Sequence, residues 1–419
     1  SAKLLFSDDP DAFVLANTLS YNWKGMIQVP ESFKGYSLID QNNNPVPLQG
    51  TDDGLIAFVE LAPLSFSTFK KGDQVENQNT NNDDLILEND LVRYEFDQDG
   101  QLISMHDKEM DKELLSGPGN ILSLYEDRPN NWDAWDVDFF YRDALIEAAA
   151  ISEIRPLTNG NVVKQIKLSF SIGNSTIEQT ASLYPHSKRL DLSTHVEWNE
   201  KHKMLRVHFP VDIRSEQAAF DIQYGYVKRN THRNTSWDKA KFEVVGHKYA
   251  DLSDHDHGVA LLNDCKYGYM VHDNILDLNL LRSPTNPDPD ADEGSHAFTY
   301  SVFPHQHDLI HSEVLMESSC LNQQPILFEE VRSEIDIPLK LMGDGLELSV
   351  LKKAEKEDQL IIRIVETHGR RSTGSIQLKG LLAECDLMEW HDIDSPINID
   401  GEYEISLSPF EIRTYKLTL

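Results

Sequence analysis

Short apolar runs, each closed by turn chemistry, are the feature that most restricts what this chain can fold into. Gly25-Met26-Ile27-Gln28-Val29 and the runs at 54–61, 91–96, 166–172 and 258–262 have the alternation or the length of β-strands. Between such runs, Gln41-Asn42-Asn43-Asn44-Pro45, Asp97-Gln98-Asp99-Gly100 and Thr158-Asn159-Gly160-Asn161 combine residues that tolerate left-handed backbone with Gly or Pro, so hairpins are the expected connections. Few windows longer than about ten residues hold apolar positions at helical spacing. The chain is therefore expected to be all-β.

At 419 residues it exceeds the usual span of one domain, and more than one hydrophobic core is expected. Two polar breaks mark boundaries, one over 71–84 and one around Asn322-Gln323-Gln324-Pro325. They divide the chain into a small β-sandwich over 1–84, a large β domain over 85–322 and a last β-sandwich over 323–419. The middle part is large for one sandwich, and two big antiparallel sheets packed face to face would absorb it.

Charge and cysteine usage narrow the partners. The formal net charge is −32, from 38 Lys and Arg against 70 Asp and Glu, a field that repels phosphate backbones and argues against nucleic acid and anionic membranes. No run approaches the roughly 20 apolar residues of a membrane-spanning helix. Cys265, Cys320 and Cys385 are odd in number and widely spaced, which disfavours a disulfide framework or a cysteine zinc site and suits a reducing, cytoplasmic setting. The opening Ser1-Ala2-Lys3 has neither an initiator Met nor a secretory apolar stretch and reads as an internal boundary of a longer protein.

Three windows carry candidate chemistry. From Arg128 to Tyr141, Trp132 and Trp135 are interleaved with Asp133, Asp136 and Asp138, which suits a pyranose: flat rings meet its C–H faces and carboxylates accept from its hydroxyls. Residue types alone leave open the alternative that both Trp side chains anchor the core. A strand then ends at Arg282 and runs into a loop stiffened by Pro284, Pro287 and Pro289. Its guanidinium offers a fork of donors to substrate hydroxyls or to a catalytic carboxylate, or pairs with the acids just downstream. In Asn230-Thr231-His232-Arg233-Asn234-Thr235-Ser236-Trp237, His232 and its neighbours line a polyol site or tie a loop to its own backbone.

Metal binding is weaker. His255 with His257, and His305 with His307, each place two imidazoles two residues apart, one ligand short of the roughly three protein ligands that catalytic zinc takes. H-E-x-x-H, P-loop, G-x-G-x-x-G and G-x-S-x-G motifs are absent from the sequence. Retaining glycosidases need two carboxyl groups roughly 5 to 5.5 Å apart, which spacing along 70 acids cannot identify.

In order along the chain, these windows resemble the C-terminal half of glycoside hydrolase family 38 α-mannosidases, in the branch found in bacteria, fungal vacuoles and animal cytosol. Asn131-Trp132-Asp133-Ala134-Trp135-Asp136-Val137 is similar to that family's N-Y-W-D-A-W-D-V loop, with one aromatic fewer. The run from Arg229 to Asp238 resembles R-P-T-H-x-N-T-S-W-D, with Asn230 in place of Pro. The run from Gly258 to Gly268 resembles G-V-A-L-L-N-D-C-K-Y-G, and Pro409-Phe410-Glu411-Ile412-Arg413-Thr414 resembles the P-F-E-I-x-T ending.

The resemblance implies a galactose mutarotase-like supersandwich flanked by smaller β-sandwiches, and retaining hydrolysis of α-mannosides by the intact protein. It implies that the Asp nucleophile, the acid/base and a zinc belong to an N-terminal catalytic domain, the expected partner, so that this segment alone would be inactive. It further implies that Arg282, Trp135 and Asp136, with Trp132, Asp133 and His232 nearby, face a mannose-containing oligosaccharide. Homo-oligomerisation is left open. Two alternatives remain: a freestanding carbohydrate-binding module using the Trp132 loop, and a mutarotase-like epimerase using His232.

Overall fold

The structure is a computed structural model that describes residues 11–51, 54–74, 84–329 and 339–419. Ser1-Ala2-Lys3 and most of the polar break at 71–84 lie outside the described residues. Among those described, strands dominate and the strand pairing is antiparallel, about half of it between strands adjacent in sequence, so the chain is all-β.

Period-two patterning explains the central layers. In Lys164–Ile172 the residues Ile166, Leu168, Phe170 and Ile172 all point into one core, while the intervening Lys167 and Ser169 face out. The turn before it, at 158–161, and the turn at 97–100 make the expected hairpins. At the latter, Asp97 Oδ1 accepts from the backbone N–H of Asp99 and Gln101, at 3.0 and 2.9 Å, and Gly100 takes φ +75°, where a side chain would be strained.

These strands build a nine-stranded sheet in the order Ala150–Asn159, Lys164–Ile172, Ser175–Leu183, Leu190–Trp198, Gly294–Gln306, His257–Asn263, Tyr249–Ser253, Gln217–Ile222, Gly225–Asn230. Facing it is a six-stranded sheet in the order Leu145–Ala148, Ile121–Glu126, Lys203–Pro210, Ile275–Arg282, Gly268–His272, Val244–Val245. Trp198, Phe209, Tyr300, Phe220 and Tyr269 fill the space between them as one continuous core, which also takes in Val92–Phe96 and Leu102–Asp107 of a four-stranded sheet. The middle part is thus a supersandwich.

His257–Asn263 is buried at every residue because both its faces are covered. Val259 and Leu261 join the main core, whereas Ala260 and Leu262 lie against the side chains of Val314 and Leu309. Val314 opens the helix Val314–Asn322.

Two smaller β units flank the supersandwich. The first pairs a five-stranded with a three-stranded sheet around Phe13, Trp23, Phe33 and Phe69. Its edge strand is Ile326–Phe328, which linear division of the sequence put at the head of the last domain; it pairs with Ala12–Asn17 instead, Val14 opposite Phe328. The chain thus returns to the first unit after crossing the second, a long-range pairing that composition cannot signal. The last unit is a six-stranded sheet built on Ser372–Cys385 and Ile412–Thr418, with Ile397–Leu407 as an added partner.

Candidate functional site

Register in the six-stranded sheet creates the site. Ile121–Glu126 and Ile275–Arg282 both run antiparallel to Lys203–Pro210, with Glu126 opposite Lys203 and Arg282 opposite Met204. Their C-terminal ends therefore emerge at the same edge, two strand spacings or roughly 10 Å apart. An extended Arg side chain spans such a gap. Asp127, the residue after the first strand, is met there by Arg282.

The Arg282 guanidinium grips Asp127 with two parallel bonds, Nε to Oδ2 and Nη2 to Oδ1, the latter 3.2 Å. It also donates to backbone carbonyls of the Trp132 loop: Ala134 at 3.3 Å, Asp133 at 2.9 Å, and Asp136. Asp127 is only 1% exposed, and burial pushes its carboxyl above the usual range against the pull of Arg282. This differs from the pairing with downstream acids that the sequence allowed. Most of its fork is used inside the chain, and its carboxylate partner lies 155 positions upstream rather than among the acids that follow it.

Asp133 gives the loop a second anchor. Its Oδ2 accepts from the backbone N–H of Thr285 and Asn286, at 2.8 and 3.0 Å, and His202 Nδ1 lies 3.5 Å from its Oδ1. Burial opposes ionisation here, yet the bonds from Thr285 and Asn286 with the nearby His202 hold this carboxyl below its ordinary value. The Pro-rich loop after Arg282 and the Trp132 loop are thereby stapled together.

With its backbone tied down, the loop turns its rings outward. Trp132, at φ +60°, accepts through its carbonyl from the N–H of Trp135 and Asp136 at 2.7 and 2.9 Å. Trp132 is 70% exposed and Trp135 67%, so neither anchors the core. The Asp136 side chain is also exposed.

The third window meets the end of this loop. Phe139 packs edge-on against Phe242 with ring centres 5.5 Å apart, and the Lys239 ammonium sits 4.8 Å from the centre of the Phe139 ring. Tyr141 donates to Glu243 at 2.5 Å; Glu243 in turn accepts from Arg206 at 3.1 Å, and Arg206 donates to Asp277 at 2.7 Å. Thr235 and Asp238 form a reciprocal capping box that starts the short helix Ser236–Ala240 and leaves Trp237 79% exposed. Thr235-Ser236-Trp237-Asp238 has the spacing of such a cap, a signal the sequence reading passed over. His232 is half-buried, 3.7 Å from Asp238.

One histidine of each pair is engaged elsewhere. His305 lies 2.7 Å from Asp251, and His257 contacts Lys112 and Asp254. Among the described residues no three His, Cys, Asp or Glu side chains converge as a metal centre. Asp133 and the buried Asp127 thus hold a loop whose Trp132 and Trp135 side chains form an exposed aromatic rim. Such a rim has the flat faces and nearby acceptors that a polyol takes.

Two family profiles match this chain: the glycosyl hydrolases family 38 C-terminal domain over residues 87–290, and the family 38 C-terminal beta sandwich domain over residues 345–415. Alpha-mannosidase G of Dictyostelium discoideum is 33% identical over 96% of this chain and 40% of its own length. Alpha-mannosidase 2C1 of Homo sapiens is 34% identical over 80% of this chain and 34% of its own length. The chain therefore spans less than half of these curated relatives. In fold it matches the crystal structure of an alpha-mannosidase from Enterococcus faecalis V583, at a TM-score of 0.75 and 16% identity, over 97% of this chain and 56% of that one.

Proposed function

Because this chain belongs to glycoside hydrolase family 38, we propose that it supplies the glycan-facing wall of a retaining α-mannosidase whose reactive groups lie in another domain. The observation that carries this reading is the clamp of Arg282 on Asp127 and on three carbonyls of the Trp132 loop, which leaves Trp132 and Trp135 outward. A loop held this way meets a sugar without first losing backbone entropy, so more of the contact energy goes into orientation. Trp132 and Trp135 offer flat faces to C–H surfaces, and Asp136 offers acceptors to hydroxyls. Arg282 and Asp133 are positioning residues in this scheme, and His232 with Trp237 extends the rim.

In this reading the zinc that the family resemblance implies is held by the N-terminal catalytic domain. Free thiols at Cys265, Cys320 and Cys385 support a cytoplasmic location. No described helix is long and apolar enough to cross a membrane.

Turnover of an aryl α-mannoside separates the readings. The intact protein is expected to hydrolyse it, the 419-residue chain alone is expected to be inert, and Trp135→Ala in the intact protein is expected to lower kcat/KM by about tenfold or more. Hydrolysis by the isolated chain after metal removal would refute the proposal. The exposed Trp pair also favours a second reading, a sugar-binding module that acts unaided; saturable binding of mannose oligosaccharides at Trp135 in the isolated chain would support it.

A further inference from the structure

A cleft of about 290 Å³ opens between the supersandwich, the helix Val314–Asn322 and the last β unit, far along the chain from the Trp132 loop. One wall is the tip of the hairpin formed by Gln217–Ile222 and Gly225–Asn230; the helix Val314–Asn322 and the strands Leu346–Lys353 and Leu360–Glu366 supply the others. We infer that this cleft is a second, non-catalytic site for a single pyranose ring.

The hairpin tip is the first reason. Ile222 pairs with Gly225, so Gln223 and Tyr224 are the two central residues of a tight turn. Tyr224 sits at φ +61°, a conformation that Gly or Asn adopts readily and an aromatic residue rarely does. Its ring is 42% exposed beside the cleft. A strained residue persists where its surroundings over-determine it, and such residues gather at functional sites.

The last β unit provides that constraint. Phe410 packs so tightly on Gly225 that a Cβ there would fall 2.6 Å from its ring, and Tyr226 meets Phe410 edge-on with ring centres 5.5 Å apart. The turn is therefore fixed in place before any ligand arrives.

The lining is the second reason. Asp221 Oδ2 accepts from the Lys248 N–H at 2.9 Å, while its Oδ1 accepts from no described residue. Glu347 Oε2 accepts from the Tyr21 hydroxyl at 3.1 Å. Ser349 and Thr367 add hydroxyls. The acceptors lie beside one flat aromatic ring, and Lys248 and His247 also line the cleft, so donors and acceptors together suit a neutral, hydroxyl-rich ring. The volume lies at the lower end of the range for ligand sites, roughly 300–1,000 Å³, which fits one sugar unit. The site itself stands on this geometry; only the choice of a mannoside as first probe rests on the function proposed above.

Calorimetric titration of the 419-residue chain with the methyl pyranosides of mannose, glucose and galactose tests it, with open-chain mannitol as control. At least one pyranoside is expected to saturate with a dissociation constant on the order of millimolar. Tyr224→Gly removes the ring and places glycine where φ is positive, so thermal stability should hold while affinity falls about tenfold or more. Glu347→Gln should weaken binding as well, whereas Trp135→Ala should leave it unchanged. A mannotriose that binds more tightly, with the gain lost in Tyr224→Gly, assigns the cleft to a glycan end; equal affinities assign it to a free monosaccharide. No saturation by any pyranoside, equal binding of mannitol, or loss that follows Trp135→Ala instead of Tyr224→Gly would overturn the inference. None of these results bears on mannoside turnover by the intact protein, so the two readings fail separately.

Discussion

Two arginines in this molecule make the same kind of bond and do different work. Arg189 is sealed between the first β unit and the supersandwich: it forks onto Asp191 at 2.7 and 3.1 Å, donates to Glu317 at 2.8 Å, and Glu317 also meets Lys24 at 3.3 Å. Lys24 belongs to Trp23–Val29, Glu317 to the helix Val314–Asn322, and Arg189 directly precedes Leu190–Trp198. That network joins cores. Arg282 forks onto Asp127 in the same way, but its remaining donors go to the carbonyls of one loop, and what lies beyond is solvent and exposed indole. Both pairs are largely buried, so the remaining donors decide the difference: Arg189 gives one to a second carboxylate across a junction, whereas Arg282 gives its own to main-chain carbonyls and holds a shape.

The comparison breaks first at Glu317, which is 1% exposed. Glu317→Ala leaves Lys24 without one of its two carboxylates and Arg189 with only Asp191, and removing one partner from a buried network of this kind costs about 3–5 kcal/mol. Denaturant unfolding should register that loss, together with separate melting of the first β unit. A cost below about 1 kcal/mol, the level of an exposed pair, would show that the junction is held by apolar packing alone.

Arg282→Ala should cost less, about 2–3 kcal/mol, because it strands one carboxylate, that of Asp127, rather than breaking a network of several charges. Its larger consequence is local. Amide exchange over residues 130–138 should accelerate by at least an order of magnitude, while exchange in Lys164–Ile172 stays slow. Unchanged protection in the loop would mean that the bonds from Thr285 and Asn286 to Asp133 suffice by themselves.

These two regions also mark what the sequence could and could not disclose. Strands such as Lys164–Ile172 were legible because one face is buried and alternation follows from the pleat. The chemistry-bearing windows were legible as residue types, and their order matched a family. Direction was not: nothing in Trp132-Asp133-Ala134-Trp135 tells whether indoles point in or out, since that depends on backbone anchored by a residue about 150 positions away. Asp127, the partner that matters most to Arg282, carried no signal among 70 acids. Backbone carbonyls, which take the rest of the Arg282 fork, carry none in any sequence. Tyr224 was hidden too: the turn at Ile222-Gln223-Tyr224-Gly225 follows from the pairing of Ile222 with Gly225, and Phe410, pressed against Gly225 from 185 positions downstream, buttresses it.

The smallest effect on stability is expected where the effect on function is greatest. Trp132→Ala and Trp135→Ala remove side chains that already stand mostly in solvent, so neither returns much apolar surface to water and each should change unfolding free energy by no more than about 0.5 kcal/mol. The loop backbone should keep its exchange protection, because the Arg282 bonds go to main-chain carbonyls that the substitutions leave in place. In the intact protein the same substitutions should depress mannoside turnover with the fold unperturbed, the opposite pattern to Glu317→Ala. If unfolding measurements instead show that either indole contributes 2 kcal/mol or more, a value of about the size of a buried large side chain, then the ring is packed against something in solution, and the rim is an interface within the protein before it is a surface for sugar.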